Sequence, residues 1–410
     1  MNRKQPEPDW LEQRARIGQP TPAPRPMRAL RGLCLPAACL VAALVTVVAL
    51  VAIAEPARAE DRFMVQGLFD GEYWKTDSGS RLLSKNEGDA AGAGELRLWA
   101  AGDFAPGLQG YALGKAYSGS AWEDEDADTG GGIETALEQA FLRYTFQGKA
   151  RLQIEAGQIA MPAGDFVPRY FSTVNPLIGA PDSYSVNYPK GLKVAGWAGL
   201  FDYRVAAIDL PMANADYIPP EPGEAWRPLA GAGITPMQGL RFGAYYTRGP
   251  YLGPDSEAGL PVGSDWKDFD QAVAGLEFQF SRGHFELHGD FATSSYEVPT
   301  LVKSARGRAW YVEPKYTFSP RFFAALRLEQ NEYPWIRHFS FGWIAPEATL
   351  EDVEAGVGWR VTPELLVKAS YRRDRWIVDE SEQDMFPQGY AVAAQLSYTF
   401  DVVSWFERPH

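Results

Sequence analysis

Few residues in this chain could carry chemistry. There are two cysteines, Cys34 and Cys39, and four histidines, His284, His288, His338 and His410. Both cysteines lie in an apolar stretch near the N-terminus; if it is removed, no disulfide, thiolate nucleophile or Cys-ligated zinc can form. His284 and His288 have the i, i+4 spacing that chelates zinc on a helix. In a strand, at roughly 3.3 Å per residue, the same spacing parts them by about 13 Å, so they cannot share a metal unaided. Glu123-Asp124-Glu125-Asp126-Ala127-Asp128 offers the carboxylate oxygens that calcium favours, but without EF-hand spacing, and reads as a solvated external loop. The sequence contains no C-x-x-C-H, no G-x-S-x-G, no Walker loop and no GxGxxG between a strand and a helix. The expectation is a chain without catalytic group, metal or cofactor.

The remaining chemistry is charge at alternating positions. Arg97, Arg143, Arg151, Arg204, Arg241, Lys315, Arg327, Lys368 and Arg372 are the basic candidates for one face of a series of segments. Glu155, Glu277, Glu286, Asp290, Glu313, Glu329 and Glu354 are the acidic ones. Glu138 falls on the apolar face by strict alternation, which makes Glu155 the better choice. Charges in a ring select ions in a pore; the alternative is that these mixed signs pair across strands and merely keep an interior wet. The interval Met161–Lys190 is the candidate constriction, since it is long and carries Arg169, Tyr170, Asn175, Tyr184, Asn187 and Lys190. The alternative is an external cap with no role in selection. Arg169 and Lys190 are the residues to test for anion preference.

The elements that must position these charges repeat with period two. In Tyr390–Phe400, Tyr390, Val392, Ala394, Leu396, Tyr398 and Phe400 share one face; Ala391, Ala393, Gln395, Ser397 and Thr399 share the other. Val353 to Val361, Leu365 to Tyr371, Phe322 to Leu328 and Phe285 to Phe291 alternate in the same way. Strands are expected near 63–74, 93–103, 107–117, 135–146, 149–158, 191–199, 201–209, 227–234, 239–248, 269–280, 283–295, 307–318, 321–332, 335–344 or 348–361, 364–376 and 389–400. Segments of this length suit a tilted membrane crossing better than the shorter strands of a soluble sandwich. Aromatic pairs such as Tyr144 and Phe146, or Tyr316 and Phe318, mark segment ends as interface girdles do. The fold class expected is all-β, a transmembrane antiparallel β-barrel of about 16 strands (range 14–18), since bacterial barrels take even numbers. Short turns such as 146–149, 280–283 and 318–321 would be periplasmic. The intervals near 76–92, 118–133, 159–190, 249–268, 296–306 and 377–388 would be extracellular.

The N-terminus reads as an export signal. Arg25, Arg28 and Arg31 precede the uncharged run Leu33 to Ala54, and Ala57-Arg58-Ala59 forms an A-x-A exit. Cleavage is expected after Ala59, leaving 1–59 as extension and signal and 60–410 as the barrel; an uncleaved anchor is the alternative. Met27 is a second candidate start. Removing 1–59 leaves 31 basic and 48 acidic residues, a net charge of −17. That balance argues against a nucleic-acid partner, which needs a basic stripe.

At two places the chain resembles the porin superfamily, most closely the phosphate-selective porin O/P type. One is Leu137–Pro168, a strand, tight turn and strand ending in Gly157-Gln158-Ile159-Ala160-x-Pro162-x-Gly164. The other is Tyr398-Thr399-Phe400, which resembles the terminal aromatic signal read by the barrel assembly machinery. Here Asp401–His410 follow, so either that signal is internal or a later aromatic such as Phe406 serves. The resemblance implies a sixteen-stranded barrel, with a homotrimer open to it and an inward-folded loop narrowing the pore. It does not establish phosphate as the solute.

The function expected is passive diffusion of small hydrophilic solutes or ions through the outer membrane of a Gram-negative bacterium, without enzymatic activity. The partners would be outer-membrane lipid and lipopolysaccharide. Two other readings fit the pattern: a barrel sheath for a partner such as an exported cytochrome, and an outer-membrane hydrolase. The hydrolase would need a histidine at the outer rim, where only His338 is a candidate.

Overall fold

The computed structural model describes residues 63–77, 90–119, 132–146, 148, 151–181, 187–212, 225–334, 336–339, 342–345, 347–378 and 389–402. The expected signal 1–59, the acidic cluster 123–128, Tyr184 and Phe406 lie outside them.

The described chain is strand after strand: β1 (Phe63–Thr76), β2 (Ala90–Ala105), β3 (Leu108–Gly119), β4 (Glu134–Phe146), β5 (Arg151–Gln158), β6 (Lys190–Ala198), β7 (Phe201–Ile208), β8 (Arg227–Met237) and β9 (Leu240–Pro250). There follow β10 (Asp270–Arg282), β11 (Phe285–Tyr296), β12 (Ala305–Ser319), β13 (Phe322–Pro334), β14 (Arg337–Phe339), β15 (Gly342–Ile344), β16 (Glu347–Arg360), β17 (Leu365–Ile377) and β18 (Gly389–Asp401). All but β14 and β15 close one antiparallel barrel of sixteen strands, in which β1 pairs with β18 from Gln66↔Asp401 to Thr76↔Ala391. Closure leaves no open edge, so each strand's backbone groups find a partner on both sides.

Of the two alternatives for the fourteenth barrel strand, 348–361 is the one used. β13 pairs directly with β16, from Phe322↔Trp359 to Pro334↔Glu347, and β14 and β15 form a separate hairpin between them. Those two strands have three residues each, too few to cross a bilayer. Trp343 of β15 and Ile336 just before β14 are instead buried among the loops, where they pack with Tyr251, Leu252, Trp266 and Tyr296. This interval and 209–226 are long connections on the same end as the six expected ones.

The other end is closed by short turns. At Gln238-Gly239 the turn needs φ +80° at Gly239, and a Cβ there would lie 2.1 Å from the Ser281 carbonyl oxygen. A side chain is excluded by both conformation and space. The outward faces next to these turns carry a belt of rings: Tyr144 with Phe146 (centroids 4.7 Å), Tyr316 with Phe318 (4.9 Å), Phe318 with Phe322 (5.5 Å) and Phe242 with Phe278 (5.4 Å). Above the belt the outward positions are exposed and apolar, among them Leu142, Val205, Leu276, Val312, Val353, Val392 and Leu396.

Residues 159–181 turn inward. Ile159, Met161, Ala163, Phe166 and Val167 bury against Ile208, Leu229, Tyr245, Val273 and Tyr311 of the inner wall. Ile178 buries against Trp74, Ala391 and Ala393 on the opposite side. Each large apolar side chain so buried contributes roughly 1.5–3 kcal/mol, enough to hold a loop that has no ladder of its own.

Candidate functional site, the barrel interior

Polar bonds pin the inward loop along β10–β18 and β1. Asp165 sits at its start. Its backbone N–H donates to Asp290 Oδ2 at 3.1 Å, and its carboxylate takes His288 Nδ1 at 2.8 Å, Tyr311 Oη at 3.3 Å and the Gln279 amide. Arg169 reaches Glu313 Oε1 at 2.6 Å and Tyr311 Oη at 3.2 Å. Ser172 donates to Asp70 at 2.6 Å, and Phe171 stacks on Trp99 of β2 at 5.8 Å. Further on, Arg327 donates to Gly179 O at 2.6 Å, Asn175 Oδ1 at 3.2 Å and Glu313 Oε2 at 2.6 and 3.0 Å. Lys368 Nζ donates to Leu177 O at 2.6 Å and Asn175 O at 3.2 Å. Glu354 accepts from the backbone N–H of Ile178 and of Gly179 at 3.1 and 3.2 Å.

Half of the wall is therefore covered. Arg327 is 2 % exposed, Lys368 1 %, and Glu313, Glu329, Glu354, Asp352, Arg372 and Asp374 are buried with them. Arg372 pairs with Asp352 at 3.0 Å and Asp374 at 2.8 Å. Of the expected lumen residues, Arg169, Arg327, Glu329, Lys368 and Arg372 thus belong to the covered part.

The short-turn part of β3–β9 is open, while Ile208, Leu229 and Tyr245 nearer the long loops lie under the inward loop. On β3–β9, Arg143 has 35 % of its side chain exposed, Lys193 20 % and Arg204 and Arg241 17 % each. Their carboxylate partners lie beneath them. Glu155, 4 % exposed, takes Arg143 at 2.7 Å and also Lys193; Glu277, 2 % exposed, takes Arg241 at 2.8 Å and also Arg204. Arg241 holds Asp202 as well, at 2.7 Å. Arg151 is exposed and lies 5.3 Å from the Trp197 ring centroid. Lys315, on β12 towards the short turns, pairs with Glu286 at 2.9 Å. At Glu155 and Glu277 water therefore meets guanidinium and ammonium heads with the carboxylate set behind them, whereas Asp202 and Glu286, 30 % and 35 % exposed, meet water beside Arg241 and Lys315.

Two expectations meet a different geometry. Glu138 does face inward: Leu113 pairs with Gln139 and Gly114 with Leu137, so Glu138 is the extra residue of a β-bulge. A bulge re-aims a side chain that strict alternation would send outward. Glu138 accepts from Arg97 Nε at 3.2 Å, and Lys115 Nζ lies 3.6 Å away. Lys190 stands on the opposite face of β6 from Lys193 and is exposed, away from the lumen; its backbone N–H donates to Asp209 Oδ1 at 2.8 Å and its carbonyl accepts from the Asp209 N–H at 3.2 Å.

Lys115, Lys193, Tyr111, Phe141 and Trp197 were not legible as lumen residues. In β3 the inward face carries Tyr111, Leu113, Lys115 and Tyr117, and the outward face Gly110, Ala112, Gly114 and Ala116. The apolar contrast that marks a membrane face is inverted there.

Burial pushes the Asp165 carboxyl up, but the His288 hydrogen bond, Arg169 and Gln279 together outweigh it and hold its pKa below the ordinary 3.8. A carboxylate held low stabilises the folded form above that value and loses the contribution as pH falls through its folded pKa. Loop anchorage should therefore be constant from neutral pH down to about pH 4 and weaken only below it. Protease susceptibility of 159–181 against pH measures this, and a transition near neutrality would refute it.

No family model and no curated protein matches the sequence. Among solved structures, OprB of Pseudomonas putida at high pH aligns with a TM-score of 0.55 and 13 % identity, over 83 % of this chain and 95 % of that one. The anion-selective porin of Comamonas acidovorans aligns at 0.54 and 10 %, over 82 % and 99 %. OmpF of Salmonella typhi in complex with daunomycin aligns at 0.52 and 12 %, over 82 % and 97 %. The chain has the porin fold. Within that fold the described histidines stand apart. His288 is tied to Asp165, His284 lies 6.2 Å from the Tyr316 ring at the short-turn end, and His338 packs on Trp343 in the loop hairpin. No group of three or more His, Cys, Asp or Glu suited to a metal occurs among the described residues.

Proposed function

We propose that the chain is an outer-membrane channel through which small hydrophilic solutes diffuse, and that its passage runs between the inward loop and the wall of β3–β9. The observation that carries this is the division of the lumen, in which Glu313, Arg327, Glu354 and Lys368 of β12–β17 are sealed by the loop while Arg143, Lys193, Arg204 and Arg241 of β4–β9 stay part-exposed, on the short-turn side of the loop's contacts with Ile208, Leu229 and Tyr245. Over Glu155 and Glu277 the more exposed partner is the cation, so anions are the preferred solutes along that stretch. The apolar outward face and its ring belt match a bilayer crossing, and the same architecture in an anion-selective porin supports the reading.

The full-length chain, refolded in detergent and inserted into a planar bilayer under a KCl gradient, should give discrete, persistent current steps with a reversal potential of anionic sign. A folded barrel without steps would overturn the proposal. The membrane placement has its own test. Leu276 is outward and midway along β10, and Leu276→Arg should cost about 2–4 kcal/mol of folding free energy in lipid vesicles. An unchanged urea midpoint would mean that this face does not meet lipid.

A further inference from the structure

A cavity of about 470 Å³ lies at the short-turn end of the open wall, lined in part by Met64, Asp103, Gln109, Tyr111, Phe141 and Arg143. Its volume is that of a small-molecule site. Tyr111 and Phe141 are stacked, centroids 5.2 Å apart and planes at 30°, and both are only part-buried. Arg143 stands over the Phe141 ring at 5.3 Å, and Glu155 engages its Nε and Nη2, leaving Nη1. Asp103 is exposed in the same cavity and accepts from Gln109 at 2.9 Å.

From this geometry we infer that the cavity binds monocarboxylates that carry a flat apolar ring, as a station on the solute path. The ring stacks on the Tyr111–Phe141 pair in the offset manner that aromatic faces favour, and the carboxylate meets Arg143 in a charge-assisted hydrogen bond. Two features set the charge and the shape. Arg143 is already shared with Glu155, and Asp103 adds a second carboxylate, so a dianion such as phosphate meets more repulsion than attraction. A small aliphatic acid gains the charge contact but leaves the ring faces wet. The same pairing recurs on the neighbouring strands, where Arg151 lies over Trp197.

The inference rests on the channel reading only for how the ligand arrives, and two measurements keep them separate. In the bilayer, benzoate should reduce the chloride current at concentrations about tenfold lower than acetate, with inorganic phosphate at pH 8 weaker than benzoate. Saturation-transfer NMR of benzoate on the detergent-folded full-length chain should show ring contact whether or not current flows. Phe141→Leu keeps bulk and removes the π face; it should raise the half-blocking benzoate concentration about three- to tenfold and leave the acetate value in place. Arg143→Gln should weaken benzoate and acetate alike. Equal potency of benzoate and acetate, stronger block by phosphate, or absence of NMR contact would overturn the inference. NMR contact without current steps would uphold the site and remove the channel.

Discussion

Arg327→Met should destabilise the folded barrel by about 3–5 kcal/mol and turn a quiet open-channel current into a fluctuating one. The guanidinium is fully enclosed and its donors go to Glu313, Glu354, Asn175 and Gly179. Methionine fills the volume but donates nothing. Glu313 then keeps Arg169, and Glu354 keeps the backbone N–H groups of Ile178 and Gly179, the first of which also donates to Ser370 Oγ of β17 at 3.3 Å. Removing one partner of a buried pair costs more than the pair itself contributes, because the remaining charge stays in a poorly solvated place. The loop is pinned at the same point, so loss of stability and loss of current steadiness should appear together. Arg248 provides the contrast. It pairs with Asp270 at 2.8 Å and Glu297 at 3.0 Å on the exposed outer rim, where water already satisfies both partners, and Arg248→Ala should leave the denaturant midpoint in place. If Arg327→Met behaves like Arg248→Ala, the buried network does not hold the loop.

The second large effect concerns selectivity. Arg241 lies flat on the open wall because β8 and β9 present glycines beneath it; a Cβ at Gly233 would be 2.5 Å from Arg241 Nη2 and 2.5 Å from Asp202 Oδ2. Arg241 and Arg204 between them hold Asp202 and Glu277. Arg241→Glu changes the local charge by two and leaves Arg204 facing three carboxylates. An ion passing about 5 Å away in a water-like dielectric would feel a change of roughly 1.5 kcal/mol, unfavourable for an anion and favourable for a cation, so about tenfold for each and about a hundredfold in the anion-to-cation permeability ratio before screening. Arg241→Gln should give about half the shift in free energy. The measurement is the reversal potential at or below roughly 0.1 M salt, where the Debye length of about 10 Å leaves the charge felt. A potential that does not move along this series would place the ion path elsewhere than β7–β9.

Local pattern was enough for the barrel. Alternation has the same period as the side chains of a strand, so the greasy and polar faces of β10–β13 and β16–β18 could be read residue by residue, and the chain's turns could be placed between them. The charges on those faces were legible for the same reason. Three things were not. The bulge at Glu138 adds a residue without any local signature in hydropathy, so parity counted from the strand sends the carboxylate to the wrong face. The 335–344 segment alternates as a barrel strand does, and only the direct pairing of β13 with β16 leaves it outside. Above all, the alternation that marks Arg143, Arg241, Arg327 and Lys368 as inward is identical for all four. Whether such a charge meets water or a loop carbonyl depends on contacts between residues more than a hundred positions apart, such as Arg327 with Gly179 and Lys368 with Leu177. Period-two patterning is a property of neighbours in sequence and therefore specifies the wall, whereas the course of 159–181 across the lumen is set by long-range packing and divides that wall into an anchor and a passage.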